Sequence, residues 1–144
     1  MGARMIVVGV DWSRSSLGAV RWALAESQRR DCEVEAVTAW QADPLVTGPP
    51  PIVEPGHRLS QAVEAVCGPG APAVPVREVL LPGWAPEVLE ERSRYAELLV
   101  LGRRGYTRLT GKLLGSVTAH CVQHAHCPVA IVPAPVEHRP EPLG

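Results

Sequence analysis

Three short runs of this chain contain no polar residue: 5–10 (MIVVGV), 98–101 (LLVL) and 128–132 (PVAIV). A strand with one face in water alternates polar and apolar side chains, so a run without alternation must be covered on both faces. Parallel sheets flanked by helices have this habit, and the chain is thereby confined to the α/β class. Two further runs, 32–40 (CEVEAVTAW) and 74–81 (VPVREVLL), carry charges and read as strands nearer a sheet edge.

Helical patterns fall between the strands. Over residues 15–30, Leu17, Val20, Leu24 and Ser27 share a face while Arg21, Gln28 and Arg29 point away, and Ser13 or Ser15 can cap the start. Residues 86–95 carry Pro86 in the first turn and acids early, as a helix start prefers. Residues 116–126 make another helix, ended by Pro128, and 56–66 a weaker one. The segment 42–55 (ADPLVTGPPPIVEP) ends in prolines that suit neither helix nor strand interiors, and reads as an exposed loop. Strand and helix therefore alternate, which with right-handed crossovers gives a doubly wound five-stranded parallel sheet with helices on both faces. One domain is expected over residues 4–134, followed by a flexible tail over 135–144.

The 13 glycines and 15 prolines are about a fifth of the chain, below the roughly 25–30% that signals disorder. With 14 Lys+Arg against 15 Asp+Glu, the net charge of -1 argues against nucleic acid or an acidic membrane as partner. No apolar run approaches the ~18 residues of a membrane helix, and Ile6 stands where a myristoylation signal needs Ser or Thr. Cys32, Cys67, Cys121 and Cys127 show no C-x-x-C spacing, so a reducing, cytoplasmic location is expected.

In a doubly wound sheet, ligands bind outside the carboxyl ends of the strands, where the chain order reverses. Two segments bring chemistry there. Gly9-Val10-Asp11 ends the first strand with a carboxylate; Gly102-Arg103-Arg104-Gly105 follows the fourth and leads to Gly115-Ser116 at a helix start. Glycines admit an anion close to backbone amides, and a helix N-terminus adds unpaired N–H groups and a favourable dipole. No acid occurs over residues 98–136, while Arg103, Arg104, Arg108 and Lys112 fall within ten residues, making a local cationic patch in a neutral chain.

The spacing Gly102-x2-Gly105-x9-Gly115-Ser116, together with Gly9-Val10-Asp11, resembles the universal stress protein family over about residues 4–134. Residues 37–40 (VTAW) and 124–132 (HAHCPVAIV) add local similarity. The resemblance implies strand order 3-2-1-4-5, a Rossmann-like, adenine nucleotide alpha hydrolase-like fold, and ATP as ligand, with or without Mg2+. It implies Gly9, Val10 and Asp11 by the adenine and ribose, and Val37 or a near neighbour flanking the base. Gly102, Arg103, Arg104, Gly105, Tyr106, Thr107 and Arg108 would wrap the phosphates, with Gly115, Ser116 and Val117 meeting them from the helix start. An ionised Asp11 only accepts hydrogen bonds, which suits an amino group or ribose hydroxyl. The chain departs from the family pattern at Trp12, where a small residue is usual, at Tyr106, Leu109 and Thr110, which replace a glycine-richer stretch, and at Glu97, where Asp is commoner.

Other constellations are weaker. Gly111-Lys112-Leu113 lacks the Ser or Thr and the spacing of a P-loop. His120, Cys121, His124, His126 and Cys127 have soft ligands at helical spacing, but read as small buried thiols with surface histidines, and no metal site is expected. Ser13, Ser15 and Ser16 have no histidine at motif spacing and no paired carboxylates stand near the glycine loop, so no catalytic residue is assigned. In the order 3-2-1-4-5 the wholly apolar Val129–Val132 is a sheet edge, and natural edges are charged or covered. Pairing with the same strand of a second copy, also implied by the resemblance, makes the expected assembly a homodimer. The expectation is an ATP-binding stress-response or signalling module whose nucleotide orders the glycine loop for an unknown protein partner. The alternatives are a nucleotide-free interaction module of the same fold, its pocket lost to Trp12, and a weak ATPase.

Overall fold

The computed structural model describes residues 4–11, 13–41, 53–68, 75–103 and 115–133. The elements follow the expected order: β1 Met5–Gly9, α1 Arg14–Arg30, β2 Glu33–Trp40, α2 Val53–Cys67, β3 Val76–Pro82, α3 Ala85–Arg92 with a 3-10 turn Ser93–Tyr95, β4 Leu98–Gly102, α4 Ser116–His124 and β5 Val129–Val132. The strands form one parallel sheet in the order β3-β2-β1-β4-β5. Among the described residues, no helix is long and apolar enough to cross a membrane.

The apolar runs are covered on both faces. Ile6, Val8, Val34, Ala36, Leu98 and Val100 turn to one side, against Val20 and Ala23 of α1 and Leu59 and Val63 of α2. Val7, Val37, Leu99 and Leu101 turn to the other, against Leu89 of α3 and Cys121 of α4. Each fully buried aliphatic side chain contributes about 1.5–3 kcal/mol, so both layers are needed to hold the sheet. The charges of β3 belong to an edge strand, as expected. β2 lies one place inward, and its charge is absorbed instead: Glu35, 2% exposed, is gripped by Arg92 Nε and Nη2 at 2.7 and 2.6 Å.

Three helix boundaries differ from expectation by two residues or more. α2 starts at Val53, so Pro55 is helical; it falls in the first turn, where a backbone N–H would have no intrahelical acceptor. Residues 42–52 of the expected loop lie outside the described residues. The helix expected over 86–95 tightens to a 3-10 turn at Ser93, whose hydroxyl donates to Glu90 O. α4 ends at His124, two residues early, with Ala125 extended and the His126 N–H donating to Ser93 Oγ at 2.9 Å. The tail expected over 135–144 lies outside the described residues.

Candidate functional site

A cleft opens at the carboxyl ends of β1, β2 and β4. It lies where the order reverses between β1 and β4, the position at which doubly wound sheets take ligands. Val37, Ala39, Leu89, Leu101 and Val117 give it apolar walls, and Asp11, Ser13, Ser16, Thr38 and Thr118 supply polar groups. A largely apolar slot with a few convergent polar groups suits a ring system carrying a polar tail.

Asp11 is held by the start of α1. Its Oδ1 accepts from the Ser13 N–H at 2.8 Å and the Ser13 hydroxyl at 2.5 Å, while its own N–H donates to Ser16 Oγ at 2.9 Å. Ser13 is the N-cap, accepting from the Ser16 N–H at 3.1 Å, which decides between the two serines the pattern allowed. Side chains thus occupy the α1 N-terminus. The N-terminus of α4 differs, because its N-cap is Gly115, which has no side chain to offer, and no acid occupies its first turn. A negative group is therefore favoured at α4 and disfavoured beside Asp11.

The strand ends are tied by their neighbours. The Val10 N–H donates to Val37 O at 2.8 Å, and the Thr38 hydroxyl donates to Val10 O at 2.9 Å. The Thr118 hydroxyl donates to Gly102 O at 2.7 Å, fastening the first turn of α4 to the end of β4. The Arg103 N–H donates to Val132 O at 2.8 Å, and the Gly115 N–H to Arg103 O at 3.0 Å. In β2 the peptide groups of Glu33 and Val37 face β1 while those of Val34 and Trp40 face β3. By that alternation, the N–H and C=O of Ala39 point the way Val37's do, one step beyond the last paired position, Gly9↔Val37.

Of the residues expected at the site, Gly9, Val10, Asp11, Val37, Gly102 and Val117 are brought together around the cleft. Arg103 and Ser116 are exposed at its flank, beside Gly115, which is buried. Arg104, Gly105, Tyr106, Thr107 and Arg108 lie outside the described residues, as does Trp12. Gly9 has a second reason to lack a side chain: a Cβ there would stand 2.8 Å from Leu101 Cδ2 and 2.9 Å from Leu89 Cδ1. Sequence reading did not assign to the site Ser13, Ser16, Thr38, Ala39, Leu101, Thr118 or the α3 residues Ala85 and Leu89. Thr38 and Ala39 were signalled only as neighbours of Val37, and α3 carries no motif at all.

Asp11 is the one carboxylate among the described lining residues, so a divalent cation accompanying a triphosphate would be held mainly by the phosphates. The His/Cys group on and just after α4 is divided: Cys121 is fully buried, and burial pushes its thiol up to about 11, whereas His120 bonds Glu90. Among the described residues, no three such side chains are grouped to hold a metal ion.

Residues 2–133 match the model of the universal stress protein family. A universal stress protein of Mycobacterium tuberculosis is 33% identical over 152 residues, covering 89% of this chain and 47% of the relative. The chain spans about half the length of the curated relatives it matches. A solved universal stress protein in complex with cAMP has a TM-score of 0.68 and 28% identity, covering 94% of this chain and 100% of that one. A universal stress protein structure from Archaeoglobus fulgidus has a TM-score of 0.71 and 26% identity, covering 90% and 98%. With its two-layered core, its strand order and nearly its whole length matched, the chain belongs to the universal stress protein family.

Proposed function

We propose that the cleft binds an adenine nucleotide, ATP in its working form, and that the chain acts as a nucleotide-dependent stress-response or signalling module. One observation carries this reading: a single apolar slot lies between a fixed hydrogen-bond acceptor, Asp11, and a helix N-terminus without a side-chain cap, Gly115. The base lies against Val37 and the apolar walls. The N–H of Ala39 suits the N1 of adenine and its C=O the 6-amino group, whereas guanine would present the opposite polarity at both positions. Asp11 accepts from a ribose hydroxyl, with Gly9 and Val10 beside it. The phosphates run to Gly102, Gly115, Ser116 and Val117 and to the basic segment with Arg103, Arg104 and Arg108. The cAMP complex of a 28% identical relative supports an adenine ring in a cleft of this fold.

Two further parts of the reading follow from the sheet edge and from the cysteines. β5 is the edge beside β4, and Ile131 on it is 37% exposed, which supports pairing of Val129–Val132 with the same strand of a second copy. Cys32, Cys67, Cys121 and Cys127 are free thiols, in keeping with a reducing cytoplasm.

Denaturing the purified protein and weighing the released small molecules tests the nucleotide directly. Calorimetric titrations with ATP, AMP and cAMP, each with and without Mg2+, rank the ligands. An adenine nucleotide in the extract or micromolar binding is the expected result. An empty extract together with no binding of any of the three overturns the reading.

A further inference from the structure

The polar side chains of the cleft all face a ligand with the same character. The Ser13 hydroxyl donates to Asp11 Oδ1 at 2.5 Å, the Thr38 hydroxyl to Val10 O at 2.9 Å and the Thr118 hydroxyl to Gly102 O at 2.7 Å. The Ser16 hydroxyl accepts from the Asp11 N–H at 2.9 Å and donates to Gly9 O at 3.5 Å. A hydroxyl has one proton, and in all four residues that proton is spent on the protein. Towards a ligand each can only accept, and the Asp11 carboxylate only accepts in any case. Among the described lining residues, therefore, the side chains offer acceptors and no donor.

The donors are main-chain groups and lie elsewhere: the Ala39 N–H beyond the last paired position of β2, and the first-turn amides of α4 behind Gly115. The two flanks of the cleft thus differ in what they receive. The α4 end takes an anion, and the Asp11 end takes a group that gives a proton. Asp11 is also fixed in place, because its Oδ1 accepts from both the N–H and the hydroxyl of Ser13, the N-cap of α1. Swinging the carboxylate aside would break both bonds.

We propose that Asp11, held by Ser13, is a specificity-determining residue that reads the ribose 2′-hydroxyl, so that the cleft takes adenine nucleotides phosphorylated on the 5′-oxygen and rejects those phosphorylated on the 2′-oxygen. The proposal rests on the nucleotide reading above. The 2′-hydroxyl is the ribose donor common to ATP, AMP and cAMP, because the 3′-oxygen of cAMP is esterified. A phosphate on the 2′-oxygen removes the proton that Asp11 would accept and sets negative charge against a carboxylate. Dinucleotide sites follow the same rule: a carboxylate takes the unesterified 2′-hydroxyl, and an arginine accommodates a 2′-phosphate. The described arginines nearest in sequence to this part of the cleft, Arg14 and Arg103, are exposed and are not among its lining residues.

The test is calorimetric affinity for 5′-AMP and for adenosine 2′,5′-bisphosphate, in the full chain and in Asp11→Asn. Asparagine keeps one oxygen for the two Ser13 bonds and puts an amide donor in place of the other, and the melting temperature of the variant verifies folding. The expected result in the parent is bisphosphate binding at least about thirtyfold weaker than AMP binding, with the ratio falling to about three or less in Asp11→Asn. A parent that binds the bisphosphate within about threefold of AMP overturns the proposal, whatever the stability of the variant, and leaves the nucleotide reading intact. A folded Asp11→Asn that keeps the parent's ratio overturns it as well. No binding of AMP, ATP or cAMP removes that reading and the proposal with it.

Discussion

A Cβ on Gly102 would lie 2.5 Å from Ser15 Oγ and 2.8 Å from the Ser15 carbonyl carbon. The end of β4 and the first turn of α1 are in such close approach that only glycine fits between them, and Gly102 O is at the same time held by the Thr118 hydroxyl. One position thus joins three elements around the cleft. Gly102→Ala should lower stability by about 1–3 kcal/mol through overpacking and weaken nucleotide binding at least tenfold, measured by urea unfolding and calorimetry. Adding Ser15→Gly removes the hydroxyl contact but not the backbone one, so it should restore only part of the stability.

The cap at Ser13 can be tested in the same way. Ser13→Ala removes an acceptor for the Ser16 N–H and a donor to Asp11, and should cost about 1 kcal/mol. Thermal unfolding of the variant beside the parent reads the difference.

Arg92 is the counter-ion of Glu35, which lies in the middle of the sheet face under α3. Arg92→Met leaves a buried carboxylate without its cation and should cost about 3 kcal/mol, the low end for such a loss because the Arg92 side chain is 31% exposed. Glu35→Met combined with Arg92→Met should recover most of that loss. A double-mutant cycle by urea unfolding checks both values.

Cys121 should be silent to alkylation while the protein is folded. With its thiol pushed up to about 11, about one molecule in a thousand carries the thiolate at pH 8. Iodoacetamide at pH 8 should therefore leave Cys121 unmodified until guanidinium is added, as read by peptide mass. The same shift sets a sign for stability. Between the ordinary value of 9.0 and about 11 the unfolded chain releases a proton that the folded chain retains, so stability should fall as the pH rises through that window.

Ile131→Lys places a charge on the exposed side of the β5 edge. The fold should persist, with circular dichroism unchanged. Sedimentation should show a dimer for the parent at micromolar concentration and a monomer for the variant; a parent that sediments as a monomer would remove the proposed assembly.

The class and element order were legible in the sequence because burial leaves a periodic trace. Runs such as 5–10 and 98–101 lack alternation, and the structure covers both their faces. Gly9 and Asp11 were legible as a strand end carrying a carboxylate, and the glycine spacing pointed to the cleft they line. Pro55 was misjudged because proline is excluded from a helix interior but not from its first turn, and only the position of the first turn distinguishes the two.

By itself the sequence determined which residues must be buried, which segments are strand or helix, and at which end of the sheet chemistry gathers. Only the tertiary structure decided what each buried face meets. Glu35 and Arg92 are 57 residues apart, Glu90 and His120 are 30 apart, and nothing in either local pattern names the other partner. Ala85 and Leu89 became walls of the cleft, and Gly102 the seat of Ser15, for the same reason. Periodicity records that a face leaves water, a property of the local chain, whereas the identity of its neighbour depends on how the layers close around the sheet.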